Sequence, residues 1–79
     1  MDEKTEKLLR KELKVHAKAI GIPEGAAKIF IDEVIKSINK TIKNKSVVTA
    51  SDLKRLTVRF LKKYNKELAY VYENRDTII

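Results

Sequence analysis

The residues that interrupt helices are confined to one place in this chain. Its two glycines and single proline, Gly21, Pro23 and Gly25, fall within five residues, and none follows. Glycine and proline are the strongest local breakers of regular structure. A sequence that uses them once, near the end of its first quarter, is read as helical nearly throughout. Periodicity agrees. Leu9, Leu13, His16, Ala17 and Ile20 share one helical face, with Lys7, Lys11, Lys14 and Lys18 largely opposite. The spacing predicts a first helix over about Glu3 to Ile20, stopped by Gly21 in the left-handed conformation.

A second helix is predicted from Pro23, placed at the first helical position where proline is favoured, to about Asn44. Ala27, Ile31, Val34, Ile35, Ile38 and Ile42 form its apolar stripe, which Ile29 and Phe30 are expected to widen. Residues 46–51 read as a connector, because the β-branched Val47, Val48 and Thr49 favour extended backbone. Thr49-Ala-Ser-Asp52 has the form of a capping box, with Asp52 at N3. A third helix is expected from about Ala50, presenting Leu53, Leu56, Phe60, Leu61 and Tyr64. It either continues or restarts near Asn65 through Leu68, Val71 and Tyr72. Residues 76–79 are expected to fray. The expected fold is all-α, a single helical domain over residues 1–79.

Size sets the next constraint. With 79 residues the chain holds one small domain, too short for a Rossmann or barrel enzyme. A core of this size is marginal alone and is commonly supported by disulfides, a metal or oligomerisation. The chain has no Cys and one His, so a homo-oligomer is the expected support. No apolar run is long enough to span a bilayer, and the charged start, MDEKTEK, does not resemble a secretory signal. A cytoplasmic protein without membrane association is expected.

Charge points to a partner. The net charge is +7, but it is unevenly spread: residues 36–66 hold Lys36, Lys40, Lys43, Lys45, Lys54, Arg55, Arg59, Lys62, Lys63 and Lys66 against Asp52 alone, a balance of +9. Such asymmetry suits a polyanion, whose phosphates release counterions when neutralised. The connector is the predicted site. Lys43, Lys45 and Thr49 surround the end of the second helix, Lys54 and Arg55 open the third, and backbone N–H groups lie nearby. None of these residues reads bases in a predictable way, so double-stranded DNA would be held by its backbone.

Catalysis is not expected. His16 has no nucleophilic partner at a recognisable spacing and lies on the apolar side of the first helix, where a packed histidine is the natural reading. Asp32 and Glu33 are neighbours, about 100° apart on a helix, and do not converge as an acid–base pair. They are expected to be solvated or paired with Lys28 or Lys36. No phosphate-loop, dinucleotide or zinc-ligand pattern occurs, so no cofactor, metal or small-molecule substrate is expected. Phe30, Phe60, Tyr64, Tyr70 and Tyr72 fall at helical spacing and are expected to pack. Only Tyr70 or Tyr72 is a candidate for stacking on bases.

Two motifs sharpen the fold. Phe30-Ile-Asp-Glu-Val-Ile35 resembles the middle of the central histone helix. Val48-Thr-Ala-Ser-Asp-Leu53 resembles the second loop and third-helix start of histones, and Val58-Arg59-x-Leu61 continues it. The chain thus resembles prokaryotic and archaeal histone-fold proteins over residues 8–64, with a central helix about one turn short and a C-terminal helical extension over 65–79. This resemblance implies a nucleoid-associated, sequence-non-specific DNA-binding dimer or tetramer. It also implies an interface and core involving Phe30, Val34, Ile38, Ile42, Phe60 and Tyr64. In such a dimer Lys18, beside the partner's first loop, would join Lys43 and Lys45. A second set of residues, Glu6-Lys-Leu-Leu9, Ser51-x-Asp-Leu53, Leu56, Phe60-Leu61 and Ala69-Tyr70-x-Tyr72, resembles the helical half of ATP-cone domains. That alternative implies a nucleotide-sensing or protein-interaction module. The basic β-hairpin that holds nucleotide in those domains has no counterpart here, so ATP binding is not implied.

Overall fold

The computed structural model describes residues 1–45 and 47–74. They form four helices: α1 (Glu3–Ala19), α2 (Glu24–Ile42), α3 (Ala50–Leu61) and α4 (Lys66–Glu73). Among the described residues there is no strand. The choice left open after α3 is resolved as a restart. Residues 62–64 form a turn, and Asn65 caps α4, its side-chain oxygen accepting the Leu68 N–H at 2.9 Å. The fraying expected of residues 76–79 lies outside the described residues.

Local chemistry sets the boundaries. Asp2 caps α1 by accepting the Thr5 N–H at 2.7 Å. Gly21 ends that helix with φ +82°, the Ile22 N–H donating to the Ala17 carbonyl and the Gly21 N–H to the Lys18 carbonyl. This is the paired C-terminal motif that needs a left-handed residue. Pro23 sits one position earlier than the sequence suggests. It is the N-cap of α2, with extended ψ of 141°, and Glu24 takes the first helical position. Proline still serves, because its carbonyl accepts the Ala27 N–H and an N-cap needs no helical ψ. At Thr49 the capping box forms as its residues suggest. The hydroxyl accepts the Asp52 N–H at 3.1 Å, and the Asp52 carboxylate accepts the Thr49 N–H at 3.2 Å.

The helices pack as a ring: α1 on α2, α2 on α3, α3 on α4 and α4 back on α1, leaving the diagonal pairs apart. Leu13, Ile31, Val34, Ile38, Leu61 and Leu68 are fully enclosed at its centre. The whole predicted stripe of α2 is buried within one chain. Leu68, Ala69 and Tyr72 of α4 close the side of the core opposite α2. The Cα radius of gyration is 12.1 Å, near the roughly 11.6 Å expected for a folded chain of this length.

Burial departs from the predicted faces in two places. Ile29 is 70% exposed and does not widen the α2 stripe. It lies more than a quarter-turn from the stripe's centre, beyond the reach of α1 or α3. On α3, Thr57 and Val58 are buried although neither was on the predicted face. That helix is gripped from two sides, by α2 and α4. Thr57 tolerates full burial because its hydroxyl donates to the Leu53 carbonyl at 2.7 Å.

A polar seam zips α1 to α2. Arg10 pairs with both Glu6 and Asp32, and Asn39 donates to Glu6 at 3.2 Å. The main partner of Asp32 is therefore an arginine of the neighbouring helix, not the flanking Lys28 or Lys36. The Arg10 hydrogen bond holds the Asp32 carboxyl below the ordinary aspartate range, with smaller help from the charges of Arg10, Lys28 and Lys14.

Candidate nucleic-acid interface

Six basic residues of the second half fall into two clusters. The first is at the connector. Lys43, Lys45 and Thr49 line one cleft of 820 Å³, together with Asp2, Asn39 and Thr5 on its polar rim and Ile42, Val48 and Leu53 on its apolar wall. The sequence-predicted loop residues are thus brought together. Both lysines are exposed, at the end of α2. There they also suit the negative end of the helix dipole.

The anion-binding capacity of that corner differs from the expected one. The Asp52 carboxylate already sits at the N-terminus of α3 and takes the Thr49 N–H. The Thr49 backbone N–H, then its side chain, hold the Asp52 carboxyl below the ordinary range, so it is ionised at neutral pH. The Thr49 hydroxyl accepts the Asp52 N–H, and its side chain also serves the Asp52 carboxylate. A phosphate at this corner meets Lys43, Lys45 and the Met1 end of the chain, but the Asp2 carboxylate shares the cleft and the Asp52 carboxylate occupies the helix end.

The second cluster runs along α3. Lys54, Arg55, Arg59 and Lys62 line a shared 510 Å³ cleft with Ser51 and Val58, and Glu73 of α4 closes its edge. Arg55, Arg59 and Lys62 stand at i, i+4 and i+7, so they form one ridge on the helix. Among the described residues none of these three makes an ion pair with a carboxylate. Lys54 and Arg55 were expected to contribute through the connector; they face this ridge instead. Arg59 and Lys62 were counted in the charge run but not assigned to the site. Their spacing from Arg55, opposite Leu53 and Phe60, is the signal that marks them.

Lys18 joins neither cluster within the chain. It lines a separate cleft with Lys14, Ile22, Glu24 and Ala27, at the start of α2. The 19 residues of α2 separate it from Lys43 by about 28 Å of helix rise.

No family model, curated protein or solved structure matches this chain.

The aromatic and interface residues divide. Val34, Ile38 and Ile42 are buried in the single-chain core. Phe30 and Phe60 are partly buried against it, while Tyr64 is 47% exposed. Phe30 and Tyr64 stack, with centroids 6.3 Å apart and planes 18° from parallel. Arg59 and Lys63 lie over the Phe60 ring at 6.0 and 5.4 Å. Of the two tyrosines considered for bases, Tyr72 is buried and Tyr70 is 68% exposed. Tyr72 instead meets His16 edge to face at 6.4 Å, so the single histidine is a packing residue of the α1–α4 contact. Among the described residues, no three acidic or histidine side chains gather as a metal site, and no helix is long and apolar enough to cross a membrane.

Proposed function

We propose that this chain is a small DNA-binding protein that grips the phosphate backbone of the duplex without reading base sequence. The observation that carries this is the α3 ridge. Arg55, Arg59 and Lys62 project from one helix face into a shared cleft with Lys54 and Glu73, and among the described residues none of the three makes a close ion pair, although the charge of Arg55 acts on Asp52. Unpaired cations in register along a helix attract a repeating polyanion more effectively than the same charges scattered over a surface. Lys43, Lys45 and Thr49 supply a second contact at the connector. None of these groups presents the paired donor and acceptor needed to distinguish bases, so the expected binding is uniform across sequences.

The finer form follows the histone resemblance. The helix order α1, long α2, α3 and the capped start Thr49–Asp52 support it. In a histone-like dimer or tetramer, confined to the cytoplasmic nucleoid, Lys18 of one copy completes the connector patch of the other. Here α4 fills the side of the core opposite α2, so the proposed assembly keeps α4 in place and joins copies through surface outside the α2 stripe.

The test is a mobility-shift titration on random duplex DNA at several salt concentrations. Binding at low salt that weakens steeply as salt rises supports the proposal. Absence of binding at low salt, or indifference to salt, rejects it. Solution mass tests the assembly separately.

A further inference from the structure

We propose that the α2–α3 seam is a stacking site for an unpaired nucleobase, so that the chain holds single-stranded nucleic acid by more than charge. The inference rests on the reading of the chain as a nucleic-acid binder and adds a site to it. Tyr64 is the centre. Its ring is backed by Phe30, nearly parallel at 18°, and it is 47% exposed. A ring supported on one face and open to solvent is a stacking platform, and a base accepts any aromatic face regardless of its identity.

The occupant is set by charge. Phe60, four residues before Tyr64, is partly buried against the core, and the cations of Arg59 and Lys63 sit over its ring. Arg59 also belongs to the basic ridge that lines the α3 cleft. Arg59 thus links the two, lining the ridge cleft and reaching over the Phe60 ring. An apolar partner alone would leave those cations uncompensated, while an acidic peptide would not use a flat, open ring. A single strand supplies both features at once: phosphates for Arg59, Lys62 and Lys63, and a base for Tyr64. A duplex offers the phosphates but keeps its bases stacked inside.

The experiment compares labelled oligothymidylate with a labelled duplex on the intact protein, by fluorescence anisotropy at fixed salt. Tyr64→Leu is expected to weaken single-strand binding by about tenfold and to leave duplex binding unchanged. Tyr64→Phe is expected to retain single-strand affinity while losing part of the tyrosine quenching that oligothymidylate produces. Arg59→Gln is expected to weaken both. Circular dichroism confirms folding, and the exposure of Tyr64 makes both of its substitutions mild. Equal losses on strand and duplex, or no loss on either, overturn the stacking site while leaving backbone binding intact. Failure of the unaltered protein to bind either probe overturns the proposed function and the stacking site with it.

Discussion

Gly21 shows how one residue fixes a helix end. Its φ of +82° is closed to most side chains, yet a Cβ there meets nothing within 4 Å. The cost of Gly21→Ala is therefore conformational and not steric, and it is expected to be about 1–2 kcal/mol, read from the midpoint of urea denaturation. Asp52 makes a pH-dependent contribution. Its folded pKa lies below the ordinary value, so its stabilising effect is complete above the unfolded aspartate pKa, about 3.9. That effect is lost as pH falls through the lowered folded value. Asp52→Asn is expected to be less stable than the parent at neutral pH, with the two converging under acid; thermal unfolding across the acid range checks it. Both residues were legible in the sequence, because caps and left-handed stops depend on neighbours a few positions away. The partner of Asp32 was not, because Arg10 is 22 residues distant and comes near only once α1 and α2 have packed.

At the scale of elements, α4 decides how the core is closed. It is eight residues long, too short to hold as an isolated helix, and it depends on packing of Leu68, Ala69 and Tyr72 and on its Asn65 cap. Leu68→Ala is expected to cost roughly 2–5 kcal/mol, and Asn65→Ala about 1 kcal/mol, both measurable by chemical denaturation. The apolar periods of α1 and α2 identified their central buried residues, Leu9, Leu13 and Ala17 on α1 and the stripe from Ala27 to Ile42 on α2, while Ile29 departed from them. The same pattern failed for α3. Thr57 and Val58 are buried outside the face that the sequence pattern assigns to α3. Which aromatic rings remain open was hidden for a related reason. Tyr64 lies past the end of α3, where the helical angle no longer dictates direction.

For the whole molecule, the charge asymmetry in the sequence becomes two spatial clusters, one at the connector and one along α3. Their contributions to DNA binding are expected to separate. Arg55→Glu with Arg59→Glu should reduce the salt slope of duplex binding by about 2, near one per phosphate contact. Lys43→Glu with Lys45→Glu is expected to weaken binding without unfolding, as both side chains are exposed; unchanged affinity in a mobility-shift titration would remove the connector from the interface. The sequence pointed to the connector because its lysines are adjacent in the chain. The ridge emerges only when residues 55, 59 and 62 are placed on a helix beside α4.

The ring of helices also bears on how the protein is made. Because α4 packs on α1, α1 leaves the ribosome well before α4 and waits for it before its inner face is covered. Until then Leu9, Leu13 and Ala17 are shielded on one flank only, by α2. Synthesis halted before residue 66 would leave a partly formed bundle with open apolar surface, the kind of species that chaperones retain and proteases remove. Folding of this chain is thus expected to conclude after translation of α4 and in a single cooperative step, with no stable three-helix stage along the way.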